Sequence, residues 1–363
     1  MKPYEPQPLP LPKLQWESLI RLIGPANAAL ARYDGILQGI INPAVLLSPL
    51  RTQEAVLSSR IEGTQATLKE VLVFEASREA KPEKAQDIQE IINYRTAMQM
   101  AVESLAVRPI SLNLIKQIHS ILLDTVRGHD RARGAFRTEQ NWIGRPGSPI
   151  EQARYVPPAP LGLMAHLDNF EKYIHYEEAD RLVQLAIVHG QFELIHPFLD
   201  GNGRVGRILI PLFLYEKELL SSPMFYLSAY LEAHRDAYYD GLQAISVSGD
   251  WEGWIRFFLA AVAEQATANS EKAKAILDLY DAMKKEFARV TKSQYSIQAL
   301  DALFDVPVFS TSDFIKRTGI PKRSAMRILD ALADARQVTT VLKGKGRSPT
   351  VLAFGKLIRL VGD

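Results

Sequence analysis

Apolar residues recur at helical spacing along most of this chain. Between about residue 15 and residue 290 they stand three and four positions apart, which is the spacing of one face of an α-helix. The pattern predicts helices at about 49–62, 85–105, 111–123, 161–174, 181–194, 201–220, 236–245 and 251–279. Strand patterns are few, and the best of them is a short β-hairpin arm around Arg154, Tyr155 and Val156. The sequence therefore predicts an all-α fold class.

Both ends of the chain depart from this pattern. Residues 1 to about 15 are rich in proline and predict an extended arm that lies on another part of the protein. Near the C-terminus, two short helical patterns at 312–317 and 321–335 flank the turn Thr318-Gly319-Ile320. Two strand patterns follow, at 338–342 and 349–354. A helix-turn-helix followed by a basic hairpin is typical of a winged helix.

The distribution of charge also distinguishes the C-terminal region from the rest of the chain. The formal net charge of the 363 residues is only +2. Residues 310–363, however, hold 11 Lys and Arg against 4 Asp and Glu, whereas the remaining 309 residues hold 32 against 37. The neutral total therefore averages a mildly acidic helical block with a basic C-terminal module.

The composition excludes several classes of protein. With no cysteine, the chain has no disulfide framework, thiolate zinc site, iron–sulfur cluster or cysteine nucleophile. The N-terminal residues do not form a signal peptide, and the most apolar window, 257–263, is far shorter than the roughly 20 residues that cross a bilayer. We therefore expect a cytoplasmic protein without membrane contact.

One stretch, residues 196–207 (HPFLDGNGRVGR), concentrates the groups that phosphate chemistry needs. Two glycines and an asparagine at the start of a helix expose backbone N–H groups, and the helix dipole adds partial positive charge. Arg204 and Arg207 stand on one helix face, where each guanidinium can bind phosphate oxygens. His196 supplies a base, and Asp200 supplies a hard oxygen ligand suited to Mg²⁺. The set predicts phosphoryl or nucleotidyl transfer.

Residues 201–206 also satisfy G-x-G-x-x-G, the dinucleotide-binding pattern. That pattern requires a preceding strand within a βαβ unit, whereas residues 181–194 have helical period. No Gly-Lys-Ser/Thr follows, so the stretch is not a P-loop either. Taken singly, a histidine before proline and an Asp-Gly-Asn-Gly turn are usually structural. Their combination with two arginines carries the functional interpretation.

Residues 196–207 match His-Pro-Phe-x-Asp-Gly-Asn-Gly-Arg-x-x-Arg at every fixed position, and through this motif the chain resembles the Fic (filamentation induced by cAMP) family. Fic proteins are all-helical enzymes, most of which transfer AMP from ATP to a hydroxyl side chain of a protein. Residues 58–63 (SSRIEG) fit the family's inhibitory pattern Ser/Thr-x-x-x-Glu-Gly/Asn. Because they precede the core, the chain resembles the class that carries its own inhibitory helix. Weaker similarities bring the coverage to roughly residues 45–265, and the winged helix resembles the one appended to many bacterial Fic AMP-transferases.

The resemblance implies a role for each matching residue of the motif. His196 would be the general base, and Asp200 would hold Mg²⁺ against the α- and β-phosphates of ATP. The nucleotide-binding stretch, which includes the anion hole for the α-phosphate, would consist of Gly201, Asn202, Gly203, Arg204, Val205, Gly206 and Arg207. The first three of these would form the anion hole itself. The two arginines would bind the β- and γ-phosphates, and pyrophosphate would leave.

Three further sets follow from the resemblance. Tyr238 and Tyr239 would border the adenine, although a Tyr-Tyr pair on a helix is as often a packing feature. The flap that pins the target peptide by strand addition would consist of Gln152, Ala153, Arg154 and Tyr155. The inhibitory set would consist of Ser58, Glu62 and Gly63. Glu62 could pair bidentately with Arg207, so that ATP binds poorly or in a non-productive pose, until the helix moves.

These expectations define five segments. They are a proline-rich arm at 1–45, a helical region with the inhibitory helix at 46–110, the catalytic core at 111–265, a connecting helix at 266–295 and the winged helix at 296–363. The leading hypothesis is an autoinhibited, Mg²⁺- and ATP-dependent protein adenylyltransferase. One alternative is a nucleotide-sensing transcriptional regulator that binds DNA through residues 310–355; another is a Fic enzyme that removes AMP, transfers UMP or phosphorylates. The partners are a protein with a modifiable hydroxyl and, by the resemblance, a second copy in a homodimer.

Overall fold

The computed structural model of the protein describes residues 2–126, 130–145, 147, 149–345 and 348–362. These residues are mostly helical, which confirms the predicted fold class. The helices are α1 Trp16–Gly39, α2 Pro43–Leu46, α3 Ser48–Ile61, α4 Leu68–Ser77, α5 Pro82–Leu105, α6 Leu112–Leu122, α7 Leu163–Ile174, α8 Arg181–Ile195, α9 Asn202–Glu216, α10 Ser228–Ala233, α11 Arg235–Ser248, α12 Trp251–Thr291, α13 Ser296–Asp305, α14 Thr311–Thr318, α15 Lys322–Asp334 and α16 Gly355–Gly362. The strands are β1 Val308–Ser310, β2 Thr339–Leu342 and β3 Val351–Ala353.

The first of two compact units consists of Met1–Gly35, Leu57–Glu62 and Asn93–Thr267. Its core is the pair α8 and α9, with α6, α7 and α11 packed around them. Every residue of α8 from Leu182 to Ile195 is buried, as a helix surrounded by other elements requires. Helix α8 therefore lies at the centre of this unit.

The second unit consists of Ile36–Val56, Gly63–Ile92 and Ala268–Asp363. Its three strands form an antiparallel sheet in the order β1-β3-β2, with Val308 opposite Ala353 and Thr339 opposite Ala353 on the other edge. Helix α4 packs on β1 and β3 through an apolar stripe that includes Leu68, Val71 and Leu72. The helices α14 and α15 and the strands β2 and β3 all lie within a residue or two of their predicted positions.

Two segments differ from the predicted division of the chain. The range 1–45 holds the 24-residue helix α1, so the extended arm ends near residue 15. The dipeptide Gly24-Pro25 suggests a break, but α1 continues through Pro25 because Ala26, Ala29, Leu30 and other residues bury an apolar stripe. At the other end of the core, 266–291 is not a separate connecting helix, because α12 runs unbroken for 41 residues.

The predicted β-hairpin arm is reduced to one antiparallel bridge between Ile143 and Tyr155. Both Arg154 and Tyr155 donate their backbone N–H to the Ile143 carbonyl, at 2.7 and 3.1 Å. The proline-rich arm continues this pairing, because Tyr4 N–H donates to the Val156 carbonyl at 2.9 Å. Among the helices of the described residues, none has an apolar stretch long enough to span a bilayer.

Candidate active site

The motif loop joins the two most deeply buried helices of the first unit. Helix α8 is capped at its N-terminus by Asp180, whose carboxylate accepts the N–H groups of Leu182 and Val183 at 2.9 Å. It ends at His196, which adopts left-handed backbone angles (φ +48°) and so turns the chain sharply. Gly201 (φ +78°) makes the second left-handed turn and starts α9. Buried helices on both sides hold the loop in place.

The interior of the loop is fixed by side-chain to backbone hydrogen bonds. Asn202 accepts the Phe198 N–H through Oδ1 and donates to the Phe198 carbonyl through Nδ2, both at 2.8 Å. Phe198 is fully buried and stacks on His119, with ring centroids 3.8 Å apart and planes at 9°. The loop is therefore preformed.

His119 of α6 supports this loop and was not found by the sequence analysis. The Gly134 N–H donates to its Nδ1 at 3.0 Å, so Nε2 must carry the proton and donate to the Asp200 carbonyl, also at 3.0 Å. Burial lowers the pKa of His119 to about 4, which keeps the ring neutral. Its only signal in the sequence is a histidine on the apolar face of a helix, and that signal usually marks a core residue.

A second supporting residue, Arg137, closes the C-terminal end of α8. Its guanidinium donates to the carbonyls of His196 (3.0 Å) and Pro158 (2.6 Å), and its backbone N–H donates to the Pro197 carbonyl (2.9 Å). A cation at this position complements the negative end of the helix dipole. Burial lowers the pKa of Arg137 to about 10, and the side chain is only 2% exposed. The backbone of the predicted general base is thereby fixed from outside its own helix.

His196 presents one defined tautomer. Its Nδ1 lies 3.2 Å from the Glu193 carbonyl, which can only accept, so Nδ1 carries the proton and Nε2 keeps its lone pair. Burial lowers the pKa of His196 to about 4, with a further lowering from Arg137, against opposing effects of the Glu193 carbonyl and Glu62. The imidazole is therefore neutral near pH 7 and can accept a proton at Nε2.

Two residues of the predicted inhibitory set, Ser58 and Glu62, form hydrogen bonds with Arg207. Nη2 of Arg207 donates to Oε1 of Glu62 at 2.6 Å, and Nε donates to the Ser58 hydroxyl at 2.8 Å. Nη2 also reaches the Ser58 carbonyl at 3.1 Å. The carboxylate contact is thus monodentate, not bidentate as expected, because Ser58 takes the Nε position. Gly63 (φ +101°) ends the segment in a left-handed conformation that favours glycine.

The charge of Arg207 sets the ionisation of Glu62. Partial burial would raise the pKa of Glu62, whose side chain is 36% exposed, but the charge and hydrogen bond of Arg207, with the charge of Arg204, hold that pKa below its usual value. The approach is close because Gly203 has no side chain: a Cβ there would lie 2.3 Å from Oε1 of Glu62. Near neutral pH the pair is therefore a carboxylate on a guanidinium.

Glu193 is a second acid near Arg207, and no motif in the sequence marks it. Burial raises its pKa to about 7, although the charge of Arg207 acts in the opposite direction. Oε1 lies against Gly206, where a Cβ would be 2.3 Å away, and has no hydrogen-bond partner among the described residues. The two acids therefore differ in ionisation: Glu62 is charged near neutrality, while Glu193 titrates there.

Asp200 is the predicted metal ligand. Its Oδ1 accepts the Gly201 N–H at 2.6 Å and lies 3.7 Å from Nη2 of Arg204. The carboxylate is 46% exposed, and no cluster of three or more metal-ligating side chains occurs in the described part of the chain. A single exposed carboxylate fits a Mg²⁺ ion that arrives with a nucleotide, because Mg²⁺ usually takes one or two protein carboxylates plus phosphate oxygens and water.

The two tyrosines of α11 lie in different environments. Tyr238 is 1% exposed, and its hydroxyl donates to Nε2 of His189 at 3.0 Å; Nδ1 of His189 in turn donates to the Gly206 carbonyl at 3.2 Å. Tyr239 is half-buried, with the Arg235 guanidinium 5.8 Å from its ring centre. Tyr238 thus supports α9 from behind, whereas Tyr239 keeps an accessible face.

The predicted flap residues are held by neighbouring elements. The Arg154 guanidinium donates to Asp240 (2.7 Å) and Gln243 (2.9 Å) of α11. The Tyr155 hydroxyl donates to the Leu194 carbonyl of α8 at 2.6 Å. Gln152 is exposed and Ala153 is buried. The flap is therefore attached to both α8 and α11.

The buried titrating groups give a prediction for stability against pH. His119, His189 and His196 have folded pKa values of about 4, 3 and 4 against 6.5 in the unfolded chain, so their contribution is complete above pH 6.5 and is lost as pH falls. Glu193 has the opposite effect. Its pKa is about 7 in the folded protein against 4.5 in the unfolded chain, so its contribution to stability is lost as pH rises from 4.5 through 7. Because three histidines outweigh one glutamate, the free energy of unfolding should fall by about 2 kcal/mol per pH unit between pH 6.5 and 5.

Urea unfolding at pH 5.0, 5.75 and 6.5 measures this slope. The variant Glu193→Gln, which cannot titrate, should steepen it, because the opposing contribution disappears. A slope of zero, or stability that increases on acidification, would contradict the assignment of buried neutral histidines.

A family model described as "Fic/DOC family N-terminal" matches residues 20–103, and one described as "Fic/DOC family" matches residues 109–214. The chain is 37% identical over 86 residues to a "Probable protein adenylyltransferase" of Aquifex aeolicus (23% of this chain) and 30% identical over 154 residues to "Protein adenylyltransferase Fic" of Aedes aegypti (41% of this chain). Each match spans 27% of the relative's length.

Solved structures are similar in fold. A Fic family protein from Desulfovibrio desulfuricans G20 matches with a TM-score of 0.60 at 19% identity, over 96% of this chain and 98% of that one. Fic-1 from C. elegans (residues 134–508 of that protein) matches with a TM-score of 0.51 at 21% identity, over 72% of this chain and 73% of that one. At these identities the likeness concerns the fold alone.

Proposed function

The chain belongs to the Fic/DOC family, and on that premise we propose that it is a Mg²⁺-dependent protein adenylyltransferase, held inactive by Glu62. It would move AMP from ATP to a Ser, Thr or Tyr hydroxyl of a target protein, and of itself. The observation that carries the proposal is the preformed loop that places a neutral His196, with Nε2 free to accept a proton, next to the helix bearing Arg204 and Arg207. The names of the two sequence relatives support the same activity. A cytoplasmic location and a homodimer remain predictions.

The residues of this chain divide the reaction among them. Nε2 of His196 would take the proton of the target hydroxyl as its oxygen forms a bond to the α-phosphorus, and the bond between that phosphorus and the bridging oxygen to the β-phosphate would break. The N–H groups at the start of α9 would stabilise the charge that develops on the α-phosphate. Arg204 and Arg207 would hold the β- and γ-phosphates. Pyrophosphate would be the leaving group and would keep the electron pair of the broken bond on its oxygen.

Two other groups would complete the binding site. Asp200 would hold Mg²⁺, which supplies charge neutralisation for the phosphates when bound. Tyr239 offers an accessible ring for the adenine, and Tyr238 would shape the wall behind it. Gln152 to Tyr155 would align the target peptide by backbone pairing.

Inhibition follows from the occupancy of one guanidinium. As long as Ser58 and Glu62 accept from Nε and Nη2 of Arg207, this edge of the guanidinium would not be available to a γ-phosphate. The carboxylate would also repel the phosphate by like charge. Withdrawal of residues 58–62 would restore the site.

Mass spectrometry tests the proposed activity directly. After incubation with ATP and Mg²⁺, the Glu62→Gly variant should carry an adduct of about 329 Da, one AMP residue, on itself or on a protein from an extract. An adduct of about 80 Da would instead indicate phosphorylation, and a gain only with UTP would indicate UMP transfer. No adduct with any nucleotide would contradict nucleotidyl transfer by this chain.

The second candidate is a nucleotide-sensing transcriptional regulator. It requires DNA contact through residues 310–355, and the exposed cations of α15 favour that requirement independently of the motif loop. In such a protein the loop would bind nucleotide without turnover, so the absence of an adduct together with DNA binding would favour it.

A further inference from the structure

Five exposed cations of the second unit form what is here called the basic surface. They are Lys322, Arg323 and Arg327 on α15 and Lys343 and Lys345 in the loop from β2 to β3. Over the residues that the structure describes, none of the five takes part in an ion pair. Arg347, which the sequence places in the same loop, lies outside the described residues.

Three other cations of this unit are neutralised by neighbouring acids. Arg317 of α14 contacts Asp313 at 2.8 Å and Asp305 at 3.1 Å. On α12, Arg289 pairs with Glu286 at 2.7 Å, and Lys284 pairs with Asp281 at 3.0 Å. Part of the positive charge of this unit is therefore neutralised within the unit, whereas the five cations of the basic surface keep theirs.

The backbone presents these cations in a defined arrangement. Helices α14 and α15 pack together and are joined through Gly319 (φ +64°), which permits the tight turn. The loop from β2 to β3 is attached to the start of α14, because Thr311 N–H donates to the Thr350 carbonyl at 2.9 Å and Gly344 N–H donates to the Thr350 hydroxyl at 3.2 Å. The helix pair and the loop thus belong to one framework.

Charged side chains are distributed unevenly along helix α15. Ala325, Ile328, Leu329 and Leu332 face the core of the unit, which leaves Arg323 and Arg327, four residues apart, on the outer face. The acids Asp330 and Asp334 follow only in the C-terminal half. Phosphates would be attracted to the first half of the helix and repelled from the second.

We propose that the basic surface binds duplex DNA. The N-terminal half of α15 enters the major groove, as the second helix of a helix-turn-helix does, with Lys322, Arg323 and Arg327 on the phosphates that border the groove. Lys343 and Lys345 contact the phosphate backbone beside it. The net charge of residues 310–363, with 11 basic and 4 acidic residues, supplies the long-range attraction. This binding does not depend on AMP transfer.

The salt dependence of binding is the test. The whole chain is titrated into a fluorescent 30-bp duplex at several salt concentrations, and five phosphate contacts should give a slope of about −4.5 in log K against log salt. The triple variant Lys322→Gln, Arg323→Gln, Arg327→Gln should bind more weakly, with the slope reduced by about 3. Circular dichroism confirms that the variant is folded.

A matched control loses the same charge elsewhere in the unit. The variant Lys274→Gln, Lys284→Gln, Arg289→Gln changes three exposed cations of α12 and should leave the slope unchanged. His196→Ala should bind DNA like the wild type, which separates this proposal from the catalytic one. The proposal is overturned if no binding occurs at low salt, if both triple variants lose affinity equally, or if poly-glutamate or duplex RNA binds as tightly as the DNA.

Discussion

Replacing His196 with alanine should lower the rate of AMP transfer by about 10²- to 10⁴-fold, the range typical for the loss of a general base. The measurement is radiolabelled AMP incorporation, made in the Glu62→Gly background so that inhibition does not limit the rate. ATP binding should stay largely intact, because the start of α9, Arg204 and Arg207 are unchanged. The reason is geometric: Nε2 of His196 combines a free lone pair with a neutral ring near pH 7.

The backbone at this position requires a second variant. His196 has φ +48°, and alanine tolerates the left-handed region poorly, so loss of activity in His196→Ala alone has two explanations. His196→Asn suits that conformation better and still offers no imidazole. If either variant transfers AMP at the parental rate, His196 is not the base.

Replacing Glu62 with glycine should raise the rate of AMP transfer by about 10- to 150-fold. The estimate assumes that freeing Arg207 from its carboxylate costs roughly 1.5–3 kcal/mol, as for hydrogen bonds between charged groups. The gain should appear mainly at low ATP concentration, because Glu62 and the γ-phosphate compete for the same donor. Initial rates over a range of ATP concentrations measure it.

Two controls distinguish release of Arg207 from a general loosening of the chain. Glu79→Gly removes an exposed acid outside the site and should leave the rate unchanged. Glu62→Gln removes the charge but keeps the shape of the side chain, and should give an intermediate rate. Equal rates for Glu62→Gly and the wild type would show that the contact at 2.6 Å does not restrain the enzyme.

The sequence predicted most helices because their apolar stripes are local patterns. Helix α8 extends only one residue beyond its predicted end, and α15 begins and ends one residue inside its predicted range. Boundaries failed elsewhere: the range 1–45, predicted as an arm, holds helix α1, and α12, predicted to end at about residue 279, continues to Thr291. The motif loop could be located because its residues are contiguous.

The supporting residues could not be predicted in the same way. His119 contacts Asp200 across 81 positions of sequence, and Arg137 contacts His196 across 59. Nothing in the local sequence distinguishes His119 from an ordinary core histidine. Arg137 lies in one of the weaker similarities to the family, residues 134–137, which assigned it no role. The monodentate contact of Glu62 was missed for a related reason: the position of Ser58 on Arg207 depends on how two distant helices meet.

Two different groups require that residue 203 has no side chain. A nucleotide phosphate would need the exposed backbone there, and the inhibitory carboxylate needs the same space, since a Cβ would lie 2.3 Å from Oε1 of Glu62 and 2.9 Å from Nη1 of Arg207. A substitution at Gly203 would therefore impair phosphate binding and also displace the inhibitory carboxylate of Glu62. The two effects oppose each other in any measured rate, and only a double-mutant cycle with Glu62 separates them.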